Sequence, residues 1–359
     1  MKRITVLFRV WIKFTWFFLH SMRRRKPWSL PPQTWILLYC RGFLPNKISM
    51  YRFWENNWKL YINDRQVLLS SHINGDYGII IDDKFLSSLV MRSIARIPRT
   101  WAVIRDRKVS VPESGGNNDL KSLLRERGKI ILKPTDKCGG KEVVLLEFRD
   151  GIYLRNNKVT DADQLAASLP ESGDFILTEY IQQGEFAASL YPDTVNTIRM
   201  LTMLDPDSQI PFIACATQRV GTSDSYPVDN VSSGGLACSI DIRTGRIRKA
   251  SRVFMREPFR WIERHPDTGL QFEGQVIPGW KKICRETLQL AKLFPLIPYI
   301  AWDIALLDDG ICIIETNSWS DLSAFQLVQP LTADPAIRRF FEHHRVIGKN
   351  ITSFHAEAK

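Results

Sequence analysis

The first twenty residues carry the pattern of a basic, aromatic-rich amphipathic helix. On a helical wheel at about 100° per residue, Lys2, Thr5, Arg9, Lys13 and His20 of KRITVLFRVWIKFTWFFLH share one narrow stripe. Ile4, Leu7, Phe8, Val10, Trp11, Phe14, Phe17 and Phe18 cover the rest, with Trp16 breaking the polar stripe, and Arg23, Arg24, Arg25 and Lys26 follow. A basic, aromatic-rich helix of this kind suits the membrane interface. At 1.5 Å per residue it would just reach across a bilayer, but Arg9 and Lys13 near its centre would each cost a few kcal/mol there. No small-residue cleavage site follows, as a signal peptide requires. The remaining alternative is a helix docked on the protein's own core. In either membrane reading the basic cluster keeps the rest of the chain on the cytoplasmic side.

Downstream the period changes repeatedly. Residues 27 to about 75 are rich in Trp, Tyr and Arg without clear periodicity and are read as partly helical. Residues 82–97 place Phe85, Leu86, Leu89, Val90, Ile94 and Ile97 at helical spacing, with Asp82 or Asp83 to cap the start and Pro98 to end it. Trp101 to Val111 reads as a strand, SGGNN (114–118) as a loop and Asp119 to Arg127 as a short helix. Lys129 to Pro134 is a buried strand, Gly139-Gly140 a turn, and Val143 to Phe148 the returning strand. A helix over 161–169, a strand over 175–181, frequent strands over 197–247 and a helix over 281–294 complete an α+β pattern. The tail 350–359 is polar. The boundaries so read are 1–26, 27–110, 111–182, 183–349 and 350–359.

Chemistry concentrates in IAWDIALLDDGICIIETN, residues 300–317. Two apolar runs flank Asp308-Asp309-Gly310, a hairpin signal. A three-residue loop with Gly310 in the left-handed conformation puts Leu307 opposite Ile311 and Asp303 opposite Glu315, and Asn317 shares the face of Glu315. A two-residue loop at Asp309-Gly310 would instead send Asp303 to the other face. Converged, the three oxygen ligands suit Mg²⁺, which binds through one or two carboxylates together with substrate phosphates. Replacing Asp303 or Glu315 by Ala is then expected to remove turnover and leave the fold intact.

The composition fits this picture. The 359 residues are 44% hydrophobic and 24% charged, an ordinary globular balance, and the net charge of +11 favours anionic partners. Much of the excess lies in the N-terminal helix and RRRK run, so no nucleic-acid partner is expected. Six scattered cysteines form no C-x-x-C pair, and the six histidines show no metal-binding spacing. The cysteines read as reduced, mostly buried thiols.

A second centre lies in KPTDKCGGK, residues 133–141, where a buried strand delivers Lys133 to a small glycine loop with Gly139, Gly140 and Lys141. Such a turn brings backbone N–H groups close to phosphate oxygens, and the lysine adds a point charge. It is not a Walker loop, which needs a different spacing and a following helix. Further on, Arg199 and Arg219 lie among apolar strand residues, where a charge needs either an anionic ligand or a carboxylate within the fold.

The ordered set Asp83-Lys84-Phe85, KPTDKCGGKEV, TEYI, SLYPDTVNTIRMLT, VDNVSSGGLACSIDIRTGRI, HPDTGLQFEGQVIPGW and AWDIALLDDGICIIETN resembles the ATP-grasp superfamily. More narrowly it resembles the ATP-grasp family associated with sugar transfer and polysaccharide biosynthesis, across about residues 80–330. The resemblance implies two α+β lobes clasping ATP, with residues 111–182 as the small lobe and 183–349 as the large lobe. It implies that Lys84 and Lys133 meet ATP phosphates, that Gly139, Gly140 and Lys141 form a lid, and that Glu179, Tyr180 and Ile181 border the adenine. Glu179 or Glu185 would reach the ribose. Asp303, Glu315 and Asn317 would hold Mg²⁺ or Mn²⁺, and Arg199, with Asn196 and Arg219 beside it, would contact the transferred phosphoryl group.

The activity this resemblance implies is that of an ATP-dependent carboxylate–amine ligase. It would act through an acyl-phosphate on a small-molecule or lipid-linked sugar at the cytoplasmic face of the inner membrane. The alternatives are a phosphotransferase acting on a hydroxyl or an enzyme group, which a phospho-accepting His near the site would favour, though His265 is read as a loop or substrate-site residue, and a membrane-tethered binding protein without turnover.

Overall fold

The computed structural model describes residues 2–23, 30–111, 120–137, 139–140, 142–167, 169–252 and 259–348. The readings at Arg24–Lys26, the 114–118 loop, Cys138, Lys141 and the 350–359 tail lie outside the described residues. Two seven-stranded antiparallel sheets make the frame. The first contains β1 (Thr100–Arg105), β2 (Lys108–Ser110), β3 (Lys129–Pro134), β4 (Val144–Arg149), β5 (Ile152–Arg155), β6 (Lys158–Thr160) and β7 (Asp174–Glu179), in the order β2-β1-β7-β3-β4-β5-β6. The second contains β8 (Thr197–Leu204), β9 (Pro211–Val220), β10 (Leu236–Ile240), β11 (Ile247–Ser251), β12 (Trp261–Ile262), β13 (Tyr299–Leu306) and β14 (Ile311–Asn317), in the order β12-β11-β10-β9-β8-β13-β14.

Side-chain alternation explains which faces are covered. In the first sheet Ile130, Leu132, Phe175 and Leu177 point into a core with Leu120, Leu123, Leu124 and Leu165 of the helices Leu120–Arg127 and Ala162–Ala167. Their neighbours Ile131, Lys133, Ile176 and Thr178 therefore face away from those helices. The second sheet is covered on both faces. Ile198, Met200, Ile300, Trp302 and Ile304 pack with Trp280, Ile283 and Leu290 of the helix Trp280–Lys292. Leu201, Met203, Tyr299 and Ala301 pack with Ile337, Phe340 and Phe341 of the helix Pro335–His343. Arg199 and Asp303 belong to this second face by parity.

Two elements differ from the sequence reading. Residues 101–111 form a hairpin rather than one strand, turning at Asp106-Arg107, where φ is +51° and +61°. The positive φ at both turn positions matches the right-handed twist of the strands. This hairpin belongs to the first sheet, which therefore begins at Thr100, inside the stretch read as a separate N-terminal region. The helix read over 82–97 spans Lys84–Met91. Asp83 caps it by accepting from Leu86 N at 2.8 Å. It stops short because the Arg96 carbonyl accepts from Ile313 N at 2.9 Å, which holds the following segment against β14. Its apolar stripe, Leu86, Leu89 and Val90, is exposed, while Lys84 and Met91 are buried.

The N-terminal helix Lys2–Arg23 is docked on the protein by one face. Val10, Phe14 and Phe18 are buried, the two phenylalanines among Trp35, Leu38, Phe43, Tyr51 and Tyr61. Phe14 stacks on Tyr39 at 5.6 Å, and Phe18 meets Trp35 edge-on at 5.8 Å. The unpatterned stretch after it thus folds as the short helices Pro32–Arg41, Lys47–Met50 and Asp64–Ser70 around an aromatic cluster. Ile4, Phe8, Trp11, Ile12, Trp16 and Leu19 of the first helix remain exposed, beside Arg9 and Lys13. Among the described residues no helix is long and apolar enough to cross a membrane.

Candidate active site

The terminal hairpin pairs Asp303 with Glu315 and Ala301 with Asn317, as expected, but by another route. Leu306 faces Ile311, so the loop has four residues, and Gly310 sits at φ +158°, near the extended region rather than in the left-handed helical one. That register alone would place Ile314 opposite Asp303. The ladder instead jumps from Ile304↔Ile313 to Asp303↔Glu315, so Ile314 is an extra residue in β14. This β-bulge restores Glu315 to the face of Asp303.

Asp303 is buried and bridges two guanidiniums. Arg199 grips it through Nε to Oδ1 and through Nη2 to Oδ2 at 2.7 Å. Arg219 Nη1 reaches Oδ2 at 3.1 Å, and Arg219 Nη2 pairs with Asp229. Asp229 also accepts from Thr197 N at 2.8 Å and Thr197 Oγ1 at 2.6 Å. Burial alone would raise the Asp303 pKa, but Arg199 and Arg219 more than offset it and hold the carboxyl below its usual range. Both arginines thus have carboxylate partners within the fold. Arg219 Nε is nonetheless buried with no partner among the described residues.

Two lysines approach from the other side. Lys84, at the first turn of its helix, donates to the Lys137 carbonyl at 2.6 Å and lies 4.0 Å from Glu315 Oε1. Lys133 projects from the uncovered face of β3, and burial, reinforced by the nearby Lys84 charge and opposed by Glu315, pushes its pKa down to about 8. Lys133, Thr178, Glu179, Tyr180 and Ile181 from the first sheet and its exit meet Thr197, Arg219, Asp303 and Glu315 from the second around one cleft. Gly140 and Val143 close one side, with Val228, Asp229 and Asn230 opposite. Gly139 and Gly140 both have positive φ, +81° and +67°, which the turn requires.

Two expected site residues lie elsewhere. Asn196 is fully buried and is spent on the framework. Its Nδ2 donates to Gln183 Oε1 at 3.0 Å, Ala187 O at 2.8 Å and Tyr191 O at 2.6 Å, and its Oδ1 accepts from Gly221 N at 2.9 Å. It ties β8 to the exit of β9 and does not line the cleft. Glu185 is exposed, and its backbone N–H bonds Asp308 Oδ1 at 2.8 Å, so it borders a separate recess at the hairpin tip. Of Glu179 and Glu185, Glu179 is the one that lines the cleft. His265 is buried with both ring nitrogens engaged, Nε2 with the Gly221 carbonyl at 2.7 Å and Nδ1 with the N–H groups of Asp267 at 3.1 Å and Thr268 at 3.2 Å. It anchors its own loop. Asp229 had no role in the sequence reading, although its VDN motif stood out; only its pairing with Arg219 gives it one.

A family model described as sugar-transfer associated ATP-grasp matches residues 68–340. The chain belongs to this family. Its α+β fold is the ATP-grasp fold, with the first helix added in front. No curated protein sequence matches it. Solved structures similar to it include N5-carboxyaminoimidazole ribonucleotide synthetase from Thermotoga maritima, at 11% identity and TM-score 0.39, over 73% of this chain and 50% of that one. D-alanine–D-alanine ligase from Bacillus anthracis aligns at 13% identity and TM-score 0.39, over 74% and 69%. The ATP-grasp ligase PsnB aligns at 16% and 0.36, over 74% and 62%. The chain thus spans only half of the first of these and less than two-thirds of PsnB.

Proposed function

We propose that this ATP-grasp protein is an ATP- and Mg²⁺-dependent carboxylate–amine ligase, working through an acyl-phosphate on a sugar or amino-sugar precursor of a surface polysaccharide. The observation that carries the ATP-dependent part is the convergence of Lys133 and Glu315 with Asp303 and Arg219 around one cleft, with Lys84 in the adjoining recess that Lys133 and Glu315 also line. The ligase chemistry and the sugar rest on the family.

The residues present fit a hard divalent cation. Asn317 Nδ2 is buried with no partner among the described residues, so no hydrogen bond from that nitrogen fixes the amide. Among the described residues Glu315 has only the 4.0 Å approach of Lys84, and Asp303 Oδ1 keeps a lone pair beyond its contact with Arg199, whereas Oδ2 accepts from both arginines. Glu315, Asn317 and Asp303 would hold Mg²⁺, which supplies charge neutralisation across the phosphates. Lys84 and Lys133 offset phosphate charge and orient the chain of phosphates. Arg219, with Arg199 beside it, stabilises charge on the phosphoryl group as it passes to the acid. The glycine loop limits entry of water, which would hydrolyse the acyl-phosphate before an amine attacks. Holding acid and amine together removes part of the entropic barrier.

His265 does not support a phospho-enzyme, because both its ring nitrogens are engaged. Purified protein given Mg-ATP and candidate acids should release ADP in an acid-dependent manner, with hydroxylamine trapping a hydroxamate. A stable phosphorylated product formed without an amine would overturn the ligase reading.

The location is proposed on the first helix. With Val10, Phe14 and Phe18 used for docking, its outer face of Phe8, Trp11, Ile12, Trp16 and Leu19 fits the interface of an anionic leaflet, with Arg9 and Lys13 toward the headgroups.

A further inference from the structure

Val228-Asp229-Asn230 faces two ways. Alternate residues of an extended segment point to opposite sides. Val228 and Asn230 meet the glycine loop, and Asp229 meets Arg219. We propose that this tripeptide is the latch that holds the glycine loop closed over nucleotide and ties that closure to the arginine on Asp303. The proposal rests on the ATP reading of the cleft.

Two contacts make the latch. Asn230 Nδ2 donates to the Gly139 carbonyl. The amide cannot turn round at no cost, because its Oδ1 accepts from Ser232 N at 3.1 Å, which leaves Nδ2 facing the loop. The second contact is steric. A Cβ on Gly140 would stand 3.0 Å from Val228 Cγ2, and one on Gly139 would stand 3.3 Å from Asn230 Nδ2. The positive φ at both positions favours glycine, and a Cβ at either would also press on its seat, so Val228 or Asn230 would have to shift by a few tenths of an ångström. Between these contacts Asp229 is fixed by Thr197 and Arg219, and Arg219 holds Asp303. Movement of Val228–Asn230 on opening of the loop would pull on Asp229, so an open loop loosens the arginine and a closed loop seats it. Asn230 is in this sense a positioning residue, acting through the Gly139 carbonyl and its neighbour Asp229.

The test is release of a fluorescent, non-hydrolysable ATP analogue with Mg²⁺, followed by stopped flow, together with hydrogen exchange of the loop amides. Asn230→Ala, and the near-isosteric Asn230→Asp that lacks the donor, should speed release about three- to tenfold, the size of one hydrogen bond, with association within twofold of wild type. Loop amides should exchange faster in both, with and without the analogue, at an unchanged melting temperature. Gly140→Ala should match them, and the Asn230→Ala/Gly140→Ala pair should be no faster than the worse single variant, since both break one seat. Wild-type release with wild-type loop exchange in Asn230→Ala overturns the latch, as do fully additive effects. If wild-type protein binds no nucleotide, the ATP reading fails, and loop exchange in the free protein alone then decides the latch.

Discussion

Replacing Asp303 by Ala removes the carboxylate that two buried guanidiniums share. The Arg199, Arg219 and Asp303 side chains are 18%, 16% and 6% exposed, so solvent screens them weakly. Breaking a buried pair by removing one partner costs about 3–5 kcal/mol. Arg219 keeps Asp229, whereas Arg199 keeps only the 3.4 Å contact to Ser320 Oγ. The loss therefore falls mainly on Arg199, and about 3 kcal/mol is expected. Glu315 differs: its carboxylate makes one 4.0 Å contact, and Lys84 retains the Lys137 carbonyl. Glu315→Ala should cost no more than about 1 kcal/mol. Urea unfolding followed by tryptophan fluorescence separates the two, while ADP release should be lost in both. Removing Arg199 as well, in Asp303→Ala/Arg199→Met, should recover part of the lost stability, because no buried charge is then stranded there. Asp303→Ala with stability within about 1 kcal/mol of wild type, or Glu315→Ala destabilised as much as Asp303→Ala, would show that the shared carboxylate is not what steadies this site.

Lys133, pushed down to about 8 by burial, carries its charge only below that pH in the free protein. ATP affinity should therefore fall up to tenfold per unit as pH rises above about 8, with no such inflection in Lys133→Arg. The same depressed pKa means that the unfolded chain binds more protons between about 8 and its ordinary value of 10.5, so this group's contribution to stability grows with pH across that window. Asn196→Ala should lower stability by about 2–4 kcal/mol, because buried groups on Gln183, Ala187, Tyr191 and Gly221 lose partners; a large loss of turnover at unchanged stability would contradict its framework role. Phe14→Ala should cost about 3–5 kcal/mol in chemical denaturation, whereas Phe8→Glu/Trp16→Glu should leave stability unchanged and reduce sedimentation with anionic vesicles. Equal vesicle binding by that double variant would remove the membrane reading.

The strand pattern was legible because its apolar runs are bounded by strong turn signals, and the Lys133 loop and the Asp303–Glu315 pairing came out of it. The hairpin shows the limit of such reading. Loop length and the bulge at Ile314 each shift the register by one residue, and their effects cancel; no local property of IIETN announces the bulge. The helix after Asp83 misled in another way. Its apolar stripe faces outward because Lys84, Ser87 and Ser88 are needed at the cleft. Periodicity alone cannot tell which side the fold will cover. The partners of Arg199 and Arg219 were likewise unreadable, since Asp303 lies 104 residues from Arg199 and only the sheet order brings them together. Asn196 stood beside Arg199 in a conspicuous motif, yet it turns into the framework while Arg199 turns to Asp303. The first helix carried signals for both of its faces, one docked and one exposed, and its sequence could not assign them.

Acid-dependent cleavage of ATP by the purified protein decides the ligase reading. With Mg-ATP, hydroxylamine and a panel of sugar and amino-sugar acids, a ligase of this kind forms ADP and a hydroxamate in equal amounts from at least one acid, and Glu315→Ala forms neither. ADP formation that no acid stimulates, with no hydroxamate, would rule out an acyl-phosphate ligase in this cleft.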